Sequence, residues 1–229
     1  MDKSWGAQSS GSTQFIASPA QQKININTAI NVAINSAYEK KYYELTPSIT
    51  GSYIVETFGS IDTILNLMNL DRTSVANGYN DDWNYPANGR NAKITIQLVK
   101  GKTYVLETYL WSAGMGSFTF IVNENIQSLS LNTSTLTTIN SAGGYFHYNF
   151  TPSVSGTYAF ETTGSLDTFM YLYDNKGNQL TYNDDWNYPT NGRNARIVYS
   201  LTAGTTYKIS LRFYSNSVVG SFYTIVTKL

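Results

Sequence analysis

Residues 80–92 read Asn-Asp-Asp-Trp-Asn-Tyr-Pro-Ala-Asn-Gly-Arg-Asn-Ala, and residues 183–195 repeat them with one change, Thr190 in place of Ala87. A stretch this polar and irregular does not recur by chance, and an internal repeat constrains the fold before any other feature does. The repeat extends in both directions. Ile34-Asn35-Ser36-Ala37 returns as Ile139-Asn140-Ser141-Ala142, and Thr46-Pro47-Ser48 as Thr151-Pro152-Ser153. Gly59-Ser60-Ile61-Asp62-Thr63 matches Gly164-Ser165-Leu166-Asp167-Thr168, and Gly116-Ser117-Phe118 matches Gly220-Ser221-Phe222. The chain is one module used twice, over about residues 24–123 and 127–229, and residues 1–23 form an arm without a counterpart. A unit of about 100 residues is long enough to bury its own core. The linker Asn123-Glu124-Asn125-Ile126-Gln127 is too short for the two units to move far apart.

Alternation with a period of two runs through both copies, as strands require. Ile94, Ile96 and Leu98 share one face, as do Ala195, Ile197, Tyr199 and Leu201, and Tyr207, Ile209, Leu211 and Phe213 form a third series. Gly, Pro and Asn-Gly signals interrupt these runs at the spacing of a sandwich or barrel, and nothing reads as a long amphipathic helix. The expectation is an all-β chain of two tandem antiparallel β-sandwich domains, each with seven or eight strands.

On that scaffold the repeated segment is the return arm of a hairpin. In the second unit, residues 165–173 run out, Asp174-Asn175-Lys176-Gly177-Asn178 turns, and residues 179–185 run back. This sets Asp167 opposite Asp184 or Asp185; the first unit repeats it with Asp62, Asp81 and Asp82. Directly opposed like charges at about 5 Å repel by about 3 kcal/mol at an effective dielectric near 20. Two forms of compensation are open. Arg90 and Arg193 fold back as bidentate partners, or a hard cation such as Ca²⁺ takes the six carboxylates together with the Asn80 and Asn183 amides. The aromatics beside the charges, Trp83 and Tyr85 with Trp186 and Tyr188, lie in a Pro-containing loop. There they either pack on the sheet end or stack on a sugar or peptide.

Charged residues are scarce, 13% against roughly 25% in average chains, with a formal net charge of zero and no cysteine. The composition is that of a β-rich exported or surface protein, without the electrostatic footprint of a nucleic-acid binder. No apolar run reaches membrane-spanning length. The first residues show no basic segment leading into an apolar one, so no signal peptide is expected here and the export route is open. The single histidine, His147, sits in a strand-like aromatic run where the first unit has Tyr42, the setting of a packing residue rather than a general base. Without a nucleophile elbow, phosphate loop or zinc motif, no enzyme is expected.

Thr-Pro-Ser-x-x-Gly-x-Tyr, Glu-Thr-x-Gly-Ser-x-Asp-Thr, a Leu-Tyr-Asp strand end, Asn-Asp-Asp and Leu-x-x-Gly-x-x-Tyr together resemble the bacterial pre-peptidase C-terminal domain. The second unit carries the pattern at Pro152, Gly156, Tyr158, Asp167, Leu172-Tyr173-Asp174, Asn183-Asp184-Asp185, Gly204 and Tyr207. The first departs at Leu67-Met68-Asn69 and at Lys40-Lys41. The resemblance implies a secreted, non-catalytic, jelly-roll-like sandwich usually appended to a peptidase. It is related to the collagen-binding domains of clostridial collagenases, which use calcium and a tyrosine-rich face. It places calcium on Asp62, Asp81 and Asp82 and on Asp167, Asp184 and Asp185. The functional expectation is a calcium-binding structural protein that assembles with itself into a surface, spore or crystal layer. The alternative is a secreted adhesion module for a collagen-like protein or polysaccharide.

Overall fold

The structure, a computed structural model, describes residues 21–229. The arm expected over residues 1–23 falls outside the described residues except at its end. The first half contains β1 (Gln22–Lys23), β2 (Ile30–Ile34), β3 (Lys41–Leu45), β4 (Gly51–Phe58), β5 (Thr63–Asn69), β6 (Ser74–Asn80), β7 (Lys93–Leu98), β8 (Tyr104–Leu110) and β9 (Gly116–Glu124). The second contains β10 (Ile126–Ser128), β11 (Thr135–Ile139), β12 (Phe146–Phe150), β13 (Gly156–Thr163), β14 (Thr168–Tyr173), β15 (Gln179–Asn183), β16 (Arg196–Leu201), β17 (Tyr207–Phe213) and β18 (Gly220–Lys228).

Each half is a sandwich of a five-stranded and a four-stranded sheet, ordered β1-β3-β8-β5-β6 over β2-β9-β4-β7 and β10-β12-β17-β14-β15 over β11-β18-β13-β16. The two β-sandwich domains are therefore as expected in class. Each has nine described strands rather than seven or eight, because a short lead-in strand adds to one sheet edge. These lead-ins, β1 on β3 and β10 on β12, are the parallel pairs in otherwise antiparallel sheets. After β2 the chain crosses from sheet to sheet at each step except the β5–β6 hairpin, and likewise after β11 except at β14–β15. That interleaving makes each core from residues far apart in sequence.

The alternation read from the sequence fills these cores. Ile94, Ile96 and Leu98 of β7 and Ile209, Leu211 and Phe213 of β17 all point inward. Aromatic rings meet edge to face, Tyr43 on Phe120 at 4.9 Å and Phe150 on Tyr158 and Phe160 at 5.4 and 5.7 Å. Such pairs add about 0.5–1.5 kcal/mol beyond the area they bury. Two buried tyrosines return a hydroxyl to the chain four residues upstream. Tyr53 donates to the Ile49 carbonyl at 2.9 Å and Tyr158 to the Val154 carbonyl at 2.7 Å.

The domains meet where β12 touches the start of β4. Only Asn125 separates β9 from β10, and it is bound to Ser52 through its backbone N–H at 2.9 Å and its side chain at 3.1 Å. His147, on the outer face of β12, reaches the Thr50 carbonyl with Nε2 at 2.9 Å and the Ser210 hydroxyl with Nδ1 at 2.8 Å. The carbonyl can only accept, so Nε2 carries the proton and Nδ1 accepts from Ser210. Beside it Gln97 bonds both backbone groups of Tyr145, at 3.2 and 3.4 Å.

Candidate functional site

The duplicated segment leaves β6 and β15 and crosses the sandwich end to β7 and β16. Its base is closed by Asn80 Oδ1 accepting the Lys93 N–H at 2.9 Å, and by Asn183 Oδ1 accepting the Arg196 N–H at 2.8 Å. The amides expected as candidate cation ligands thus spend that oxygen on the backbone. Asn84 and Asn187 adopt φ of 56° and 57°, and Gly89 and Gly192 of 59° and 60°. This left-handed region is one that Asn tolerates and Gly enters freely, which is why these residue types recur. Asn91 and Asn194 tie the loop to the preceding turn through the Gly59 and Gly164 carbonyls at 3.2 and 3.3 Å.

Beneath the loop lies a buried hydroxyl pair that the sequence reading missed. Thr57 and Thr63 are 2.7 Å apart, and Thr57 Oγ1 accepts the Ala92 N–H at 2.8 Å. Thr162 and Thr168 repeat both distances with Ala195. The repeated Glu-Thr-x-Gly-Ser-x-Asp-Thr carried the signal, since both threonines stand at fixed places in it.

The hairpin brings Asp62 near Asp82 and Asp167 near Asp185, with an arginine at each pair. Arg90 Nη1 lies 3.3 Å from Asp62 Oδ2 and 3.4 Å from Asp82 Oδ2. Arg193 Nη1 lies 3.4 Å from Asp167 and 3.7 Å from Asp185. In each domain one guanidinium nitrogen bridges two carboxylates, instead of a bidentate fork gripping one. Asp81 and Asp184 turn back to accept the next residue's N–H at 2.8 Å. Burial, and then the facing Asp82 or Asp185, raises Asp62 and Asp167 above the usual carboxylate range, with the arginines offsetting part of it. Oδ1 of Asp82, Asp167 and Asp185 is enclosed without a hydrogen-bond partner. Among the described residues no three His, Asp or Glu side chains converge closely enough to hold a metal ion.

The four loop aromatics divide by exposure. Trp83 and Trp186 are half-buried under cations, Lys93 at 4.2 Å and Arg196 at 4.3 Å from the ring centres, and those cations pair with Glu56 and Glu161. Tyr85 and Tyr188 are 57% and 58% exposed, with Arg90 and Arg193 at 4.8 and 5.1 Å.

A larger aromatic surface lies elsewhere, on the outer face of the second domain's five-stranded sheet. Phe169, Tyr171 and Tyr173 alternate outward along β14. Tyr171 pairs across the strand with Tyr182 of β15, and Phe169 stacks on Tyr182 at 5.6 Å and Tyr214 at 6.5 Å. Tyr182 and Tyr214 are 59% and 57% exposed. Arg212 lies 4.5 Å over Phe169, held by the Phe213 and Tyr214 carbonyls at 2.8 and 2.9 Å. Burial pushes the Tyr145 and Tyr173 hydroxyls above the usual phenol range. At the β14 positions the first domain has Ile64, Asn66 and Met68, and its outer sheet face carries the Lys40–Glu107 ion pair. Tyr79 and Trp111, 52% and 58% exposed, stand at the Tyr182 and Tyr214 positions, so the faces differ in the β14 rings while the loops repeat.

No known protein family matches the chain, and no curated protein does. Among solved structures it is similar to the pre-peptidase C-terminal domain of collagenase from Bacillus anthracis, with 16% identity over 45% of this chain and 95% of that one, and a TM-score of 0.38.

Proposed function

We propose that the protein is a non-catalytic attachment module that holds an extracellular polymer on the outer sheet of its second domain. The observation that carries this reading is the run of outward rings on β14, Phe169, Tyr171 and Tyr173, which stand where the first domain has Ile64, Asn66 and Met68 and which extend the Tyr182 and Tyr214 rings that the first domain matches with Tyr79 and Trp111. A surface needed only for folding would be kept in both. Exposed aromatic faces in register give contact area at low entropic cost, the usual currency of recognition. His147 has both ring nitrogens engaged and serves as an interdomain contact. The duplicated loops are the structural ends of the sandwiches. A hard cation such as Ca²⁺ at each carboxylate pair belongs to the same proposal, supported by the enclosed, partnerless Asp oxygens.

The test is co-sedimentation with insoluble collagen, chitin and cell-wall glycan, using the whole chain and a Tyr182→Ser/Tyr214→Ser variant. Binding by the native protein that the variant loses, at an unchanged melting temperature, supports the reading. Equal binding by both overturns it.

Self-assembly is a second reading with its own observation. Leu136 and Tyr223 pair across β11 and β18 on the outer face of the four-stranded sheet, 55% and 50% exposed, where the first domain has Asn31 bonded to Thr119. Analytical sedimentation of the native chain beside Leu136→Asn tests it. A monomer at all concentrations excludes it.

A further inference from the structure

The aromatic face of the second domain does not stop at the sheet. From Phe169 the rings continue to Tyr171 at 4.7 Å and to Tyr173 at 6.2 Å. Tyr173 lines an interdomain cleft of about 500 Å³ together with Tyr145, Lys100, Lys176 and Lys208. Lys100 comes from the first domain, in the turn that follows β7. Lys176 comes from the β14–β15 turn, and Lys208 stands on β17, 5.4 Å from the Tyr173 ring centre. The acidic groups nearby are Glu124, which accepts from Ser48 at 3.1 Å, and Asp174, whose carboxylate is taken up by the turn's own N–H groups at 2.8 and 2.9 Å. Both are already engaged, while Lys100, Lys176 and Lys208 line the cleft and Arg212 lies over Phe169 at the other end of the ring series.

We propose that this track binds an acidic polysaccharide, its sugar rings lying on Phe169, Tyr171 and Tyr182 and its carboxylates or sulfates meeting Lys176, Lys208 and Arg212. This deepens the attachment reading and rests on it. The chemistry is complementary at two levels. Axial C–H groups of a pyranose ring carry a small positive charge, which the negative face of an aromatic ring attracts. Lys208 and Arg212 sit at the Tyr173 and Phe169 rings, a setting that favours a cation; Arg212 spends Nη1 on the Phe213 and Tyr214 carbonyls and Nε on the Tyr171 hydroxyl, which leaves Nη2 for an anion. A neutral glycan leaves those charges unused. A polynucleotide asks for a denser basic surface than a chain with zero net charge supplies. Sites between domains are common places for such ligands, and the three β14 rings that lead into this one have no counterpart in the first domain, where Ile64, Asn66 and Met68 stand.

The experiment is affinity electrophoresis of the full chain in gels containing polygalacturonate, sulfated dextran, neutral galactan or single-stranded oligothymidylate, with and without about 0.15 M salt. The native protein should be retarded by one or both acidic glycans and at least about tenfold less by galactan. Tyr171→Ala/Tyr182→Ala should weaken binding at least about tenfold, equivalent to about 1.4 kcal/mol. Lys176→Gln/Lys208→Gln should weaken it and flatten its salt dependence, and thermal melts confirm that each variant folds. Polygalacturonate against sulfated dextran tells which anion is preferred. Absence of retardation by both acidic glycans overturns the proposal, as do equal retardation by galactan, tighter binding of the oligonucleotide, or unaffected variants. Collagen or chitin binding that depends on Tyr182 and Tyr214, without acidic-glycan binding, leaves the attachment reading standing and removes this one.

Discussion

His147 offers a direct measure of the contact between the domains. Burial, with Lys208 adding repulsion, lowers its pKa from the ordinary 6.5 to about 4. At about 1.4 kcal/mol per pH unit, that difference is on the order of 3 kcal/mol favouring the neutral ring. The sign follows from proton counting. Between pH about 4 and 6.5 the unfolded chain binds the proton and the folded chain does not, so stability rises with pH across that window. The contribution is complete above about 6.5 and gone below about 4. The protein has a single histidine, so its imidazole C–H signals in a proton NMR titration are assigned without ambiguity. The native chain should titrate near 4. Gly51→Ala, on the other domain, is the complementary perturbation, since its Cβ would sit 2.4 Å from His147 Nε2 and 2.6 Å from Cδ2. That substitution should drive the domains apart and return the histidine toward 6.5 while leaving both sandwiches folded. A native histidine that already titrates near 6.5 would refute the buried contact.

Other outcomes follow from the sandwich ends. Thr57→Val keeps the shape but takes from the Ala92 N–H its acceptor, and should cost about 1–3 kcal/mol by urea unfolding; a loss below about 0.5 kcal/mol would contradict the hydroxyl network. Arg193→Ala removes a bridge that is about half exposed, so the loss at pH 7 should be about 1 kcal/mol or less. Because Asp167 is raised in the fold, its penalty sets in as pH rises through its folded pKa. The Arg193→Ala deficit in Tm should therefore shrink at pH 4. Adding Ca²⁺ should raise the native Tm and EDTA lower it, because a ligand bound only to the folded state stabilises it. Identical curves would rule out the cation.

The sandwich class was legible because each core strand alternates cleanly, as in Ile94, Ile96 and Leu98, and because the repeat showed every element twice. The hairpin was also legible, but its register was not, because it shifts at a bulge between Leu172 and Tyr173 that residue types do not announce. The outward rings were missed for a related reason. In Thr168-Phe169-Met170-Tyr171-Leu172-Tyr173 both faces carry large apolar side chains, so periodicity alone cannot tell which one meets the core. The loop tryptophans drew attention through their position, yet the structure covers them with Lys93 and Arg196. His147 could not be placed from its own strand, because its partner Thr50 belongs to the other domain.

The single residue between β9 and β10 sets the equilibrium between the domains. A joint that short holds the second domain beside the first at a very high effective concentration, so the contact at Thr50 and His147 needs almost no affinity of its own to stay closed. The two sandwiches produced as separate chains should then fold and fail to associate. Lengthening the joint with a few glycines should weaken the contact without altering any atom in it, and would unseat Lys100 from the cleft it shares with Lys176 and Lys208.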